Sequence, residues 1–144
     1  MRLVLHTDGA SRGNPGPAGV GVVLSDADGR VLAEVARFLG ETTNNQAEYA
    51  ALLEGLRQAL ELGAEEVLVR SDSELLVRQI LGEYHVRNPK LRPLFETAKE
   101  LLRRFRSWRI EHVPREANAR ADELANLAID RAAAPLPAPR GDGV

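Results

Sequence analysis

Along the first forty positions the apolar residues come in short runs separated by turn-forming clusters. Residues 2–8, with Leu3, Val4 and Leu5 at their centre, read as a short buried strand. Ser11-Arg12-Gly13-Asn14-Pro15-Gly16-Pro17 is a dense turn signal. Residues 18–25 read as a second strand, whose glycines imply close backbone approach or strong twist. Asp26-Ala27-Asp28-Gly29 closes a hairpin. Residues 30–39 then return as a third strand, with Val31, Ala33 and Val35 alternating against Arg30, Glu34 and Arg37. The spacing predicts an antiparallel meander.

The period then changes. Leu52, Leu53, Leu56, Ala59 and Leu60 recur at helical intervals, Gly63 supplies the stop, and Thr43 or Asn44 can serve as N-cap. Residues 65–72 are strand-like again. A short helix follows, capped by Ser73, with Leu75, Leu76, Gln79 and Ile80 near one face. Beyond a loop from Gly82 to Pro89, an apolar stripe of Leu91, Leu94, Phe95, Ala98, Leu101, Leu102 and Phe105 predicts a helix over 90–106. Residues 107–113 make a fifth strand, Pro114 to Ala117 a connector, and 118–133 a last helix. The order β-β-β-α-β-α-α-β-α predicts an α/β fold. Its five-stranded mixed sheet has three antiparallel strands followed by parallel ones, with helices on both faces. A crossover connection places strand 65–72 parallel to strand 2–8, with both carboxyl ends on one side. Open α/β sheets bind their ligands at that side.

Composition narrows the class. A chain of 144 residues, 44% hydrophobic and 28% charged, is long enough for one domain with a real core. That domain is expected to span 1–133, followed by a disordered tail from Ala134 to Val144, rich in Pro, Ala and Gly. No run of 18 apolar residues occurs, so no membrane span is expected. The N-terminus enters a strand at once, leaving no room for a signal peptide. The absence of cysteine excludes disulfides and thiolate metal sites, and it fits a cytoplasmic protein. A monomer is the default expectation. The net charge of −2 does not announce a nucleic-acid binder, although a local basic stripe is what phosphate binding requires.

The candidate chemistry lies at the joints between elements. Asp8 and Asp72 stand at the ends of two predicted strands, Glu48 lies in the first turns of the long helix, and Asp122 lies near the start of the last one. An acid at the end of a buried strand is costly unless a cation meets it. Four converging acids repel, and their natural partner is a hard divalent cation. Taken singly, each could be a solvated surface carboxylate. Asp26 and Asp28 do have that ordinary explanation, because the hairpin turn accounts for them.

Four motifs occur in order: Thr7-Asp8-Gly9-Ala10-Ser11 with Gly13-Asn14-Pro15-Gly16; Thr43-Asn44-Asn45-Gln46-Ala47-Glu48; Ser71-Asp72-Ser73; and Asn118-Ala119-Arg120-Ala121-Asp122. Together they closely resemble type 1 ribonuclease H over residues 2–132. The resemblance implies a ribonuclease H-like fold and a metal-dependent endonuclease that cuts the RNA strand of RNA–DNA hybrids, leaving 3′-hydroxyl and 5′-phosphate ends. It implies two Mg²⁺ ions, for which Mn²⁺ can substitute, held by Asp8, Glu48, Asp72 and Asp122. Asp8 is then expected to bridge both ions, with Glu48 and Asp72 on one and Asp122 on the other. Gly9, Ser11, Asn14, Asn44 and Asn45 match segments that contact the hybrid, and short polar groups suit the 2′-hydroxyl of RNA. Thr43 matches a position that helps hold a DNA-strand phosphate. For Asn44 and Asn45, helix capping is a competing role.

Around this frame the sequence departs from the family pattern. Some relatives carry a Trp-rich basic insertion that is absent here, so Trp108 reads as core or edge packing. The basic residues Arg87, Lys90, Arg92, Lys99, Arg103, Arg104, Arg106 and Arg109 still form a stripe, read as a hybrid-binding face against the alternative of a solvated helix face. Many relatives have a mobile histidine before the last acid. His112 is the candidate for that catalytic helper, against the plainer reading of a strand residue, with Arg115 its competitor. Glu74 stands where many relatives have Gln and adds an unexplained fifth acid. Two other classes compete with the enzyme: a non-catalytic hybrid-binding module, disfavoured because all four acids are present, and a phosphatase using Asp8 as nucleophile, disfavoured because position 10 is Ala10 rather than an acid.

Overall fold

The structure is a computed structural model and describes residues 1–133. The stretch 134–144, expected to be a disordered tail, lies outside them. Five strands, β1 (Arg2–Ser11), β2 (Gly16–Asp26), β3 (Val31–Thr42), β4 (Glu66–Ser71) and β5 (Ser107–His112), form one sheet in the order β3-β2-β1-β4-β5. The meander β1-β2-β3 is antiparallel, while β4 pairs with β1, and β5 with β4, in parallel. The helices are α1 (Asn44–Glu61), α2 (Glu74–Ile80), α3 (Arg92–Leu102) and α4 (Ala119–Ala133). None of the described helices is long and apolar enough to cross a membrane.

Two faces follow from strand alternation. Leu3, Leu5, Val20, Val22, Leu24, Val67 and Val69 pack with Leu52, Leu56, Leu76, Leu101 and Leu102 into the main core, under α1, α2 and α3. Gln79 of α2 is buried among these apolar side chains because it accepts a hydrogen bond from the Tyr49 hydroxyl at 2.6 Å. On the opposite face α4 lies across β1, β2 and β3. Its backbone comes so close that a Cβ at Gly21 would overlap the Ala121 carbonyl oxygen, which explains glycine inside a central strand.

Several element ends differ from the periodicity, each for a neighbour's reason. β1 does not end at Asp8. Its parallel pairing to β4 stops at Thr7↔Ser71, but its antiparallel pairing to β2 continues to Ser11↔Ala18. Asp8 therefore sits where the sheet opens on one side only. Antiparallel pairing between β2 and β3, which reaches Gly16↔Thr42, lengthens β2 back to Gly16 and carries β3 forward to Thr42. A register shift between Leu24 and Ser25 breaks the alternation of β3, leaving Val31 exposed on an edge strand while Ala33 and Val35 are partly buried. The third helix is shorter than its stripe. It starts only at Arg92, after Asn88 accepts from the following backbone amides, and stops at Leu102. The Arg106 N–H is then captured by the Glu65 carbonyl at 2.7 Å, which starts β5, and Phe105 keeps its place in the core. The predicted connector before the last helix is a 3₁₀ turn, Arg115–Asn118.

Candidate metal centre

The parallel register Thr7↔Ser71 brings Asp8 and Asp72 side by side at the open edge between β1 and β4. Asp72 is followed by Ser73, whose side chain accepts from the Leu76 N–H at 3.3 Å and starts α2. Glu48 arrives from α1. That helix begins at a capping box: the Thr43 hydroxyl accepts from the Gln46 N–H, and the Gln46 side chain returns to the Thr43 N–H, each at 3.3 Å. Its first turns press on β1 so tightly that a Cβ at Gly9 would overlap the Ala47 carbonyl. The contact lets the Gly9 N–H donate to Glu48 Oε1 at 2.6 Å. Carboxylate oxygens of Asp8, Glu48 and Asp72 consequently lie within 4.8 Å of one another. Asp8 and Glu48 are buried and Asp72 half-buried. Asp122, half-buried in the first turn of α4, stands outside that group, though its charge reaches Asp8 and Glu48.

The electrostatics are those of carboxyls crowded together out of water. Burial first, then the charges of Glu48 and Asp72, a hydrogen bond with Asp72 and the charge of Asp122 hold the Asp8 carboxyl far above the usual carboxylate range. Burial pushes Glu48 up to about 8, against the lowering effect of the Gly9 hydrogen bond. Carboxyls this close share protons unless a cation displaces them. An all-oxygen donor set with two protonatable buried members fits Mg²⁺ or Mn²⁺, which take carboxylates and retain waters.

Asn118 belongs to this centre although it entered the sequence reading only as the start of a motif. It is 1% exposed, and its amide donates to the Thr7 carbonyl at 2.8 Å and to Asp72 Oδ1 at 3.3 Å. It thus ties the residue before one acid to the carboxylate of another. A polar residue where a helix begins signals a cap in sequence, and nothing local signals this reach.

The residues expected to meet a nucleic acid form one surface beside the acids. The Ser11 hydroxyl donates to the Thr42 carbonyl at 2.8 Å and also reaches the Gly13 carbonyl. Asn14 Oδ1 accepts from the Asn44 N–H at 3.3 Å. Turn 12–15 and the start of α1 are therefore tied together. Because Thr43 is the cap, Asn44 and Asn45 lie on the first turn with exposed side chains, which make no hydrogen bond among the described residues. Gly9 lies in β1, and its N–H is occupied by Glu48.

The outer candidates fare unevenly. His112 ends β5 opposite Ser71, one residue from Asp72, and lines a cleft with Glu74, Val77, Arg78 and Glu83. It is exposed, as is Arg115 on the 3₁₀ turn. Neither touches an acid of the cluster through a hydrogen bond or ion pair among the described residues. Glu74 is accounted for by Arg78, which pairs with it at 2.8 Å and with Glu83 at 2.9 Å. The basic stripe is partly neutralised by its own neighbours: Arg92 pairs with Glu96, Arg103 with Glu100, and Arg106 with Glu65 and Glu66. Lys99 lies over the Trp108 ring, 5.1 Å from its centroid. Arg87, Lys90, Arg104 and Arg109 make no ion pair among the described residues, so the stripe offers fewer free cations than its sequence suggests.

Comparison with known proteins places this geometry. A family model described as reverse transcriptase-like matches residues 6–128. The chain is 48% identical over 131 residues to a ribonuclease HI of Halobacterium salinarum, aligning 91% of this chain and 66% of that protein. It is likewise 48% identical to a bifunctional protein of Mycobacterium tuberculosis, of which it spans only 37%. The crystal structure of the Halobacterium salinarum RNase H1 superposes with a TM-score of 0.89 at 47% identity, covering 91% of this chain and 99% of the other. The LC11-RNase H1 isolated from compost, solved with an RNA/DNA hybrid, gives a TM-score of 0.87 at 46% identity, covering 92% and 99%. The sheet order, the acids at its open edge and these likenesses agree: the chain belongs to the type 1 ribonuclease H family.

Proposed function

We propose that the chain is a metal-dependent endoribonuclease that hydrolyses the RNA strand of RNA–DNA hybrids and leaves 3′-hydroxyl and 5′-phosphate ends. The observation that carries this reading is the meeting of Asp8, Glu48 and Asp72 within 4.8 Å, in a setting that raises the pKa of Asp8 and Glu48. Asp8, Glu48 and Asp72, with Asp122 beside them, would hold two Mg²⁺ ions. When bound, such ions supply a water nucleophile at neutral pH and neutralise charge at the phosphodiester. The protein's own part is to hold the acids. The Gly9 N–H orients Glu48, Asn118 orients Asp72, and burial keeps Asp8 out of bulk water. Asn44 and Asn45 present exposed amides beside the acids, suited to reading a 2′-hydroxyl. Ser11 at the end of β1 and Asn14 on the turn that follows extend that surface. Arg87, Lys90, Arg104 and Arg109 would meet backbone phosphates, with a salt-dependent contribution. His112 and Arg115 remain positioned at the rim, where a side chain could assist departure of the product.

The test is cleavage of an end-labelled RNA–DNA hybrid in Mg²⁺ or Mn²⁺. The unmodified chain should cut it, and Asp72→Asn should keep its circular dichroism and melting behaviour while losing cleavage by several orders of magnitude. Binding of the hybrid without cutting, in either ion, would replace the enzyme by a non-catalytic binding module.

A further inference from the structure

Asp122 is held differently from the other acids. Asp8 and Asp72 are brought together by the sheet and Glu48 is held by a strand amide, whereas Asp122 lies half-buried in the first turn of α4. Asn126 and Asp130 follow it at intervals of four residues, on the same helix face. The Asn126 amide donates to the Asp122 carbonyl at 3.0 Å and to Asp122 Oδ1 at 3.3 Å. From the other side comes Arg12, on the turn between β1 and β2. Its Nη2 reaches the Asn126 side-chain oxygen at 3.3 Å and the Asn126 carbonyl at 3.4 Å, while Nη1 meets Asp130 Oδ1 at 2.7 Å.

A guanidinium only donates, and an ionised carboxylate only accepts. The amide between them has one orientation that serves both, with its oxygen on Arg12 and its NH₂ on Asp122. We propose that Arg12 and Asn126 form a positioning relay for Asp122. Arg12 fixes the amide, the amide holds one carboxylate oxygen, and the other oxygen is left free to take a cation. This rests on the reading that Asp122 is a metal ligand. The same turn carries Asn14, which accepts from the Asn44 N–H at the start of α1. One turn is therefore anchored to both helices that bring acids to the sheet, α1 with Glu48 and α4 with Asp122.

The relay is tested on the full chain by titrating the metal-free protein with Mn²⁺ in a calorimeter, and separately by the Mg²⁺ dependence of hybrid cleavage. Melting in EDTA serves as the control for folding. Partners that orient metal ligands typically tune affinity by an order of magnitude or more. Asn126→Ala should weaken Mn²⁺ binding about tenfold with an unchanged EDTA melt, and saturating Mg²⁺ should restore most of its cleavage rate. Arg12→Ala should weaken binding less, and the double variant should be no worse than Asn126→Ala alone, because both act through one amide. If Asn126→Ala binds Mn²⁺ like the unmodified chain while Asp122→Asn does not, the relay is wrong and the ligand stands. Strictly additive losses in the double variant also overturn the relay. If Asp122→Asn itself binds and cuts normally, the failure lies in the underlying assignment of Asp122.

Discussion

Asn118 carries more of the site than its size suggests. Its side chain is buried, its NH₂ serves both the Thr7 carbonyl and Asp72, and its own oxygen Oδ1 has no partner among the described residues. Replacing it by Ala removes two bonds and leaves a buried carbonyl beside Asp8 unsatisfied, which costs about 1–3 kcal/mol. The expected outcome for Asn118→Ala is that loss in urea denaturation, together with a rise in the Mg²⁺ concentration needed for half-maximal cleavage. A change in stability with an unaltered Mg²⁺ requirement would reduce Asn118 to a packing residue. Asp72→Asn should differ in kind: Asp72 is half-buried and lies just beyond Ser71, the last residue of β4, so the fold is expected to persist.

Between elements, the decisive contact is the one between α1 and β1. Gly9 has no room for a side chain against the Ala47 carbonyl, and the same approach lets its N–H reach Glu48. Gly9→Ala should therefore cost stability of about 1–3 kcal/mol through overpacking and also reduce cleavage, since separating helix from strand withdraws Glu48. Thr43→Ala offers the contrast. It removes the helix cap, costs about 1 kcal/mol, and should leave the metal requirement of cleavage unchanged, because the close contact at Gly9 holds the acid. Both are read by denaturation and Mg²⁺ titration in parallel. These two positions also show what was legible beforehand. The Thr43 cap, the strand glycines, the order of the elements and the four acids at their joints all leave local marks: a capping pattern, a change of period, a charge where apolar runs end. The reach of Asn118 leaves none, since its partners lie 111 and 46 residues away. Nor does the end of α3, because the carbonyl of Glu65, far back in the chain, decides where the helix gives way to β5. In the basic stripe the pairs of Arg92 with Glu96 and of Arg103 with Glu100 are local, whereas the pairing of Arg106 was hidden for the same reason, because Glu65 and Glu66 are distant from it in sequence.

For the molecule as a whole, the acids are assembled only when every layer is docked. The sheet carries Asp8 and Asp72, α1 brings Glu48 from one face, and α4 brings Asp122 from the other. Docking therefore works against the mutual repulsion of the acids, and that repulsion depends on pH. A carboxyl whose folded pKa exceeds its unfolded value binds protons more tightly when folded. Its favourable contribution is complete below the unfolded value and is lost as pH rises through the folded one. For Glu48 the window runs from the ordinary 4.5 to about 8, and the raised Asp8 adds a loss in the same direction. Without divalent cations the melting temperature should fall as pH is raised from about 5 to about 9. A bound cation replaces the shared protons, so its stabilisation should grow over the same range as the carboxyls ionise to receive it. Asp8→Asn removes the central charge. It should flatten the pH profile in EDTA, raise the melting temperature at the alkaline end, and forfeit most of the stabilisation by Mg²⁺. Scanning calorimetry of both proteins across the pH series, in EDTA and in Mg²⁺, separates these effects. Identical EDTA profiles for the two proteins would mean that the acids do not strain the docked layers.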